Sequence, residues 1–258
     1  MLLDSAQRSV TTRESRKGGP YLVSWVGEHS DTPATPSVSV VVPALNEAQN
    51  LHAVLPRIPL WVQEVILVDG GSTDDTVAVA RQLMPSIRII QQPGTGKGDA
   101  LNAGFQAATG DIIAMIDADG STDPGEIPRF VSALRTGADF VKGTRYIQGG
   151  GSEDITPFRS GGNRVLTGIV NVLWRTNYTD LCYGYIAFWR QHLNVLAPDC
   201  RGFEIETLLC IRAAGRGLRV AEVASFESSR MHGTSNLNAT SDGIRVLRTI
   251  ISELVRPW

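Results

Sequence analysis

Four short runs of β-branched and other apolar residues recur between residues 38 and 116, and a segment of helical length separates each run from the next. Buried strands of parallel sheets have this composition, because both of their faces are covered. Strand alternating with helix predicts right-handed crossovers and an α/β fold with a doubly wound, mostly parallel sheet. The runs are Val38–Val42, Val65–Val68, Ile87–Ile90 and Ile112–Ile116, and we expect helices at Glu47–Ile58 (with Asn46 as its cap), Thr73–Leu83 and Lys97–Ala108.

Outside this region the pattern changes. Residues 1–36 carry scattered charges, glycines and prolines without an apolar period, which predicts a mobile N-terminal tail. After about residue 145 the alternation weakens, and nothing marks a linker, so 37–258 is predicted to be a single domain. In its second half we expect helices at Ser160–Arg175, Glu204–Ala214 and Ser241–Leu254, and extended segments at Cys182–Trp189 and Arg219–Phe226.

Charge and cysteine content exclude several classes of protein. Among 258 residues, 24 Lys and Arg face 26 Asp and Glu, so no basic field would attract nucleic acid. Three cysteines without paired spacing argue against a disulfide framework or a zinc site and favour free thiols in a cytoplasmic protein. No apolar run is long enough for a membrane span and no signal peptide is evident, so any membrane contact is expected to be peripheral.

Carboxylates follow three of the predicted strands. Glu47 comes after the first, Asp69 after the second with Ser72 close behind it, and Asp117 and Asp119 after the fourth. Residues two apart in an extended segment share a face, so Asp117 and Asp119 can point at one place. Hard oxygen ligands without nearby His or Cys favour Mg²⁺ or Mn²⁺ shared with a phosphate group. The alternative is a solvated turn or a pair of helix-capping aspartates.

The segment from Gly94 to Gly98 is a flexible loop that opens a helix. It lacks the spacing of a Walker phosphate loop and of the dinucleotide glycine pattern, which removes the main support for a kinase or a dehydrogenase. Lys97 lies near the predicted helix N-terminus, where an anion binds readily. A tight turn with a solvated lysine is the alternative interpretation.

In this order the motifs resemble the inverting family 2 glycosyltransferases of the GT-A fold, especially the dolichyl-phosphate or polyprenyl-phosphate sugar synthases. The resemblance covers about Val38 to Ser235. It rests on Val-Val-Val-Pro-Ala-Leu-Asn-Glu, Val-Asp-Gly-Gly-Ser-Thr-Asp-Asp-Thr, Gly-Lys-Gly at 96–98, Asp-Ala-Asp at 117–119, Gly-Thr-Arg-Tyr at 143–146, and the segments 159–164, 180–189 and 230–235.

This resemblance implies a donor-binding half at 37–145 and an acceptor-binding half at 146–258. Asp117 and Asp119 would hold the metal against the donor diphosphate. The synthases usually carry Gln two residues after this motif, whereas here Ser121 or Asp123 would supply the missing ligand. The residues implied in donor binding are Pro43, Leu45, Glu47, Asp69, Ser72, Lys97, Asp117, Arg230 and Ser235.

Arg145 and Arg159 match positions where the synthases grip the acceptor phosphate, and forked guanidinium donors suit phosphate oxygens. The alternative for both arginines is surface ion pairing. For Arg230 and Ser235 the alternative is a place in a solvated loop without a role in binding. Glu206, or its neighbour Glu204, is either a general base for a hydroxyl acceptor or a carboxylate at a helix start.

The resemblance implies transfer of a hexosyl group from a UDP- or GDP-linked sugar to polyprenyl phosphate. A soluble acceptor, such as a natural product or a glycan, is the alternative, and a sugar nucleotidyltransferase or a non-catalytic nucleotide-sugar binder is more distant. An apolar stripe in the final helix, with arginines nearby, would pack on the domain or lie on an anionic bilayer.

Overall fold

The computed structural model describes residues 35–234 and 237–256, so residues 1–34 of the predicted tail lie outside it. Its strands are β1 (Val38–Ala44), β2 (Glu64–Asp69), β3 (Arg88–Gln91), β4 (Ile112–Met115), β5 (Phe140–Thr144), β6 (Gly151–Ser152), β7 (Ile186–Trp189), β8 (Val220–Ala224) and β9 (Phe226–Glu227). Its helices are α1 (Leu51–Val54), α2 (Thr76–Leu83), α3 (Lys97–Ala107), α4 (Ile127–Arg135), α5 (Pro157–Trp174), α6 (Leu193–Leu196), α7 (Ile205–Gly215) and α8 (Ala239–Leu254), with 3₁₀ turns at Leu55–Arg57, Pro124–Glu126 and Arg190–His192.

Seven strands form the central sheet, in the order β3-β2-β1-β4-β7-β5-β8. β1 pairs in parallel with β2 and β4, β2 with β3, and β5 with β8. β7 runs antiparallel between β4 and β5. β6 and β9 form a separate parallel pair. The predicted α/β class with a mostly parallel sheet is confirmed, while the reversed direction of β7 is not visible in the sequence.

Helices cover both faces of this sheet, and each face has its own apolar core. On one face α4 packs against β5 and β7 through Ile127, Phe130, Val131 and Leu134, which recur at helical spacing and are buried. On the other face α3 packs on β1 and β2, and α7 packs against α8 and α5. Among the described residues, no helix combines the length and apolarity that crossing a bilayer requires.

The first predicted helix is where the prediction was wrong. Instead of running from Glu47 to Ile58, α1 has four residues and passes into a 3₁₀ turn that contains Pro56. Proline lacks the amide that would continue an α-helical ladder. Asn46 does not cap this helix: its backbone is left-handed (φ 57°), and its side chain accepts a hydrogen bond from the Thr73 amide at 2.8 Å.

Candidate functional site

The carboxyl ends of β1, β2 and β4 meet at one edge of the sheet. β1 extends past its last pair with β4, so Pro43 lies beyond that ladder and removes no hydrogen bond from it. This edge borders a cavity of about 330 Å³, which we call the strand-end cavity. It is lined by Pro43, Ala44, Leu45, Glu47, Gly70, Gln92, Thr95, Gly96, Lys97, Ala100, Asp117, Ala118, Asp119, Phe203 and Arg230.

Lys97 lies between two carboxylates that are far apart in the sequence. Its Nζ is 2.6 Å from Asp117 Oδ1 and 2.8 Å from Glu206 Oε1. The start of α3 reaches this position because Gly98 donates its amide to the Arg201 carbonyl at 2.9 Å. A Cβ at Gly96 would lie 2.2 Å from the same oxygen, so only glycine permits this approach.

Lys97, Asp117, Asp119 and Glu206 form a group of charged side chains that we call the cluster. Burial shapes its electrostatics. Burial alone would lower the pKa of Lys97, but the adjacent Asp117 and Glu206 raise that pKa above its ordinary value and keep the ammonium charged. Burial raises the pKa of Asp117 to about 6, with Asp119 and Glu206 adding to the rise and Lys97 opposing it. Positive charge is therefore favoured beside Asp117.

A loop after β9 folds over the other aspartate. Arg230 Nη1 lies 3.1 Å from Asp119 Oδ2, and its other terminal nitrogen pairs with Glu47. Met231 donates its amide to the Asp119 carbonyl, and the His232 carbonyl accepts from the Asn50 side chain. Arg230 thus joins the end of β1 to the end of β4. Ser235, predicted in the same loop, lies outside the described residues.

Asp69 and Ser72 are placed near this edge but do not line the strand-end cavity. The Asp69 carboxylate is buried and accepts the Ser72 amide at 3.2 Å. The Ser72 hydroxyl accepts the Asn46 amide at 3.0 Å. Both side chains therefore hold the turns after β1 and β2 in place.

Asp117 and Asp119 suit a hard divalent cation. In residues 35–234 and 237–256, no three or more His, Cys, Asp or Glu side chains are grouped to hold a metal by themselves. Mg²⁺ is often bound by only one or two carboxylates, with substrate phosphates and water as its other ligands. The carboxylate pair fits this mode. Ser121 and Asp123 were the two candidates for a further metal ligand. Asp123 caps the Pro124–Glu126 turn and pairs with Arg57. Ser121 lines a second cavity.

The second cavity, of about 540 Å³, lies mainly between α5 and α8, and we call it the helix-lined cavity. The side chain of Thr156 caps α5, and that of Asn238 caps α8. The apolar lining residues include Ile155, Phe158, Val165, Leu166, Leu237, Ile244, Val246 and Leu247. Charged side chains from the sheet edge, among them Lys97, Asp117 and Asp119, line the same cavity, so its lining combines charged and apolar groups.

Arg145 lines this cavity, but its guanidinium is already engaged. It donates a bidentate pair of hydrogen bonds to Asp180, at 2.7 and 2.9 Å, and a third hydrogen bond to Glu227 at 2.9 Å. All three side chains are buried. Burial alone would lower the pKa of Arg145, but its two carboxylate partners raise it.

Arg159 and Glu206 also line the helix-lined cavity. Arg159 is half-buried and pairs with Asp154 at 2.7 Å. Glu206 is buried in the first turn of α7 and faces Lys97, whereas Glu204 accepts the amides of Arg201 and Gly202. Glu206 thus belongs to the cluster, and Glu204 stabilises the turn before α7.

The two cavities meet at the cluster. Lys97, Asp117, Asp119, Phe203 and Arg230 line both of them. A ligand in one cavity can therefore contact a ligand in the other beside Asp117 and Asp119. This arrangement suits group transfer between two bound molecules.

Sequence reasoning missed several residues of this site. Phe203 lies under Lys97, with Nζ 5.6 Å from the ring centroid, and the only sequence signal was its place before Glu204 and Glu206. Gly184 allows β7 to begin beside the cluster, since a Cβ there would lie 2.7 Å from Asp117 Oδ2. Gly162 of α5 lines the helix-lined cavity, where a Cβ would meet nothing within 4 Å.

Residues 39–197 match the family model described as Glycosyl transferase family 2. The chain belongs to this family. The predicted glycosyltransferase activity class is thereby confirmed, and the resemblance stated from the motifs is confirmed at the level of the family.

Curated relatives and solved structures agree with this membership. An uncharacterized glycosyltransferase of Mycobacterium tuberculosis is 36% identical over 212 residues, which cover 80% of this chain and 92% of that protein. A dolichol-phosphate mannosyltransferase of Pyrococcus furiosus is 29% identical over 209 residues, 78% of this chain and 59% of that protein. Glucosyl-3-phosphoglycerate synthase from Mycobacterium tuberculosis, crystallised with Mn²⁺, UDP and glucosyl-3-phosphoglycerate, superimposes with a TM-score of 0.67 at 27% identity, covering 87% of this chain and 82% of that one. The predicted GT-A fold is confirmed.

Proposed function

We propose that this family 2 glycosyltransferase moves a hexosyl group from a nucleoside diphosphate sugar to polyprenyl phosphate, with inversion at the anomeric carbon and with Mg²⁺ or Mn²⁺ as cofactor. The observation that carries the proposal is the helix-lined cavity. Asp117 and Asp119 line this cavity together with apolar side chains of α5 and α8. Such a combination of charged and apolar groups matches a phosphate joined to an isoprenoid chain.

The strand-end cavity would take the nucleotide. Its position at the carboxyl ends of parallel strands is the usual ligand position in such sheets, and the neighbouring synthase binds UDP. Asp117 and Asp119 would hold the metal, which stabilises the negative charge that develops on the leaving diphosphate. Lys97 and Arg230 already place positive charge beside the same carboxylates. Both would remain close to the diphosphate and orient it.

Transfer itself needs little from the chain beyond positioning. A phosphate oxygen of the acceptor attacks the anomeric carbon, and the bond from that carbon to the diphosphate breaks on the opposite side. The acceptor phosphate is already an anion, so no general base has to remove a proton from it. Glu206 would then hold the Lys97 ammonium in place rather than act as a base.

Arg159 is the better candidate for gripping the acceptor phosphate. It lines the helix-lined cavity and is only half-buried, with one carboxylate partner. The guanidinium of Arg145, in contrast, is held by two buried carboxylates. We therefore propose Arg159 as the phosphate-binding residue and Arg145 as the residue that fixes the wall of the cavity.

A soluble phosphorylated acceptor is the second candidate. The observation in its favour is the similarity over most of both chains to a synthase whose structures contain phosphoglyceric acid. With such an acceptor the apolar side chains that line the cavity would have no matching ligand group. Chemistry at the metal would be the same.

Product analysis with matched acceptors tests the proposal. The full chain would receive labelled UDP-glucose or GDP-mannose with Mn²⁺, and either polyprenyl phosphate in detergent or 3-phosphoglycerate. We expect a glycolipid product with the first acceptor and its loss in excess chelator, with recovery when Mn²⁺ or Mg²⁺ is restored. A product with 3-phosphoglycerate alone would contradict the lipid acceptor, and full turnover in chelator would contradict the metal.

Filling the cavity at Gly162 should weaken acceptor binding selectively. We expect Gly162→Leu to raise the KM for polyprenyl phosphate about tenfold, which corresponds to about 1.4 kcal/mol, because the new side chain enters the space of the acceptor chain. The KM of the donor should not change. Leucine is a better helix former than glycine, so unfolding of α5 would not explain the loss.

Gly168→Leu is the matched control. Gly168 lies in the same helix and is open around its Cβ position, but it does not line the helix-lined cavity. We expect its KM values to stay within about twofold of the parent, a difference below about 0.5 kcal/mol. An unchanged acceptor KM in Gly162→Leu would show that the acceptor chain lies elsewhere.

A further inference from the structure

The outer faces of α5 and α8 are unusually apolar for a protein surface. Val172 is 79% exposed on α5, and Ile251 is 56% exposed on α8. We call this surface the docking face. It comprises Phe158, Val165, Val172 and Leu173 of α5 with Ile244, Leu247, Ile251 and Leu254 of α8, all of them exposed.

This surface is continuous with the helix-lined cavity. α5 and α8 pack against each other, and Phe158, Val165, Ile244 and Leu247 belong both to the docking face and to the cavity lining. The apolar surface therefore continues from the lining of the cavity along the exposed sides of both helices. Large exposed apolar patches of this kind mark interaction sites.

The exposed charged side chains of these helices are all arginines. α5 contains no Asp or Glu, and the two acidic residues of α8, Asp242 and Glu253, are buried. Exposed arginines on these helices and just after them are Arg164, Arg175, Arg245, Arg248 and Arg256. Arg245 pairs with Asp242, and Arg256 pairs with Asp199 and Glu253. The exposed carboxylates closest before α5 are Glu153 and Asp154, and Asp154 is paired with Arg159.

We propose that the docking face binds an anionic lipid bilayer, with the apolar side chains of α5 and α8 entering the interface and the arginines contacting lipid phosphates. Amphipathic helices with this combination of residues lie in the plane of a membrane surface. A second copy of the chain fits less well, because a symmetric contact through the same face would bring its arginines together.

This inference deepens the proposed function, on which its purpose rests. A polyprenyl acceptor is dissolved in a membrane, and an enzyme whose cavity mouth faces the bilayer can receive the phosphate without extracting the chain. The charge pattern also favours an anionic surface, since each Arg near such a surface strengthens binding about fivefold.

Vesicle flotation with the full chain tests this docking, in the absence of donor and acceptor. We expect binding to vesicles of phosphatidylcholine with phosphatidylglycerol about tenfold stronger than to phosphatidylcholine alone. The double variant Val172→Glu, Ile251→Glu should weaken binding at least about tenfold. Neither residue lines the strand-end cavity or the helix-lined cavity, so nucleotide binding by this variant should equal that of the parent and would show that it is folded.

Leu60→Glu is the matched control, since Leu60 is fully exposed in the loop before β2 and lies outside both helices. We expect it to bind vesicles like the parent. A second double variant, Arg164→Gln with Arg248→Gln, should remove most of the preference for phosphatidylglycerol and keep the weaker binding to phosphatidylcholine.

Three outcomes would overturn the docking. They are a parent protein that does not float with anionic vesicles, an equal loss in Leu60→Glu, and a dimer in light scattering that Val172→Glu dissociates. The docking and the proposed function are tested separately. Transfer to polyprenyl phosphate in detergent without vesicle binding would overturn the docking alone. Vesicle binding without such transfer would overturn the lipid acceptor alone.

Discussion

Replacing Asp119 with asparagine is expected to lower kcat/KM for sugar transfer by about 10²–10³-fold, because one carboxylate ligand of the metal would be lost where charge develops. Asparagine keeps the volume of the side chain and can still accept the Ser121 amide, which lies 3.0 Å from Oδ1. The carboxylate faces both cavities rather than the core, so the melting temperature should change little. Initial rates at saturating Mn²⁺, with circular dichroism as a folding check, give the measurement.

Asp123→Asn provides the matched control four residues away. Asp123 caps a 3₁₀ turn and pairs with Arg57, so its variant should retain the parent rate within about twofold. A loss in Asp123→Asn as large as in Asp119→Asn would make Asp123 a metal ligand. Activity of Asp119→Asn within about tenfold of the parent, about 1.4 kcal/mol of barrier, would remove Asp119 from metal binding.

Arg145→Ala is expected to destabilise the fold by about 3–5 kcal/mol at pH 7, because it leaves buried carboxylates without their cation. Asp180 and Glu227 both lie within 2.9 Å of the guanidinium. They come from the loop before β7 and from β9, so the loss would loosen the wall of the helix-lined cavity. Urea unfolding followed by fluorescence would measure the change in free energy of unfolding.

The destabilisation in Arg145→Ala should shrink as the pH falls. Burial would raise the pKa of Asp180, but the hydrogen bonds from Arg145 hold it below its ordinary value. In the parent this pair therefore contributes stability above the unfolded pKa of about 3.8, and the contribution is lost as pH falls through the lower, folded pKa. Without Arg145 the buried carboxyl takes up a proton more readily and loses its charge in acid. The difference between parent and variant is then largest at neutral pH.

Arg219→Ala is the control for this comparison. Arg219 pairs with Asp139 through two nitrogens, but it is exposed to solvent, so its removal should leave the unfolding midpoint nearly unchanged. A stable Arg145→Ala variant with a raised KM for the acceptor alone would support the prediction from the sequence that Arg145 grips the acceptor phosphate.

The parts of the fold that could be predicted are those that follow from short stretches of sequence. β1, β2 and β4 follow from runs of apolar residues, because a strand buried on both faces must be apolar throughout. α3 follows from apolar residues that share one face of a helix. Asp117 and Asp119 could be recognised as candidate site residues because they directly follow the apolar run that predicts β4. The helical spacing of Ile127, Phe130, Val131 and Leu134 was also present in the sequence and would have identified α4.

Contacts between distant residues could not be predicted in this way. Glu206 meets Lys97 only because α7 and α3 start at the same edge of the sheet. The partners of Arg145 lie 35 and 82 residues further along the chain. No periodicity in the sequence encodes either contact, since both depend on how the strands are ordered and on the direction of β7.

The antiparallel course of β7 has an evolutionary consequence. It reverses the sheet between β4, which leads to Asp117, and β5, which leads to Arg145, so the two walls of the site are built on separate stretches of parallel pairing. The wall from α5, α7 and α8 can accumulate substitutions without altering the register of β1, β2 and β4. Substitutions in that wall can therefore change what the helix-lined cavity accepts while the strand-end cavity stays intact, and one scaffold can serve transferases with different acceptors.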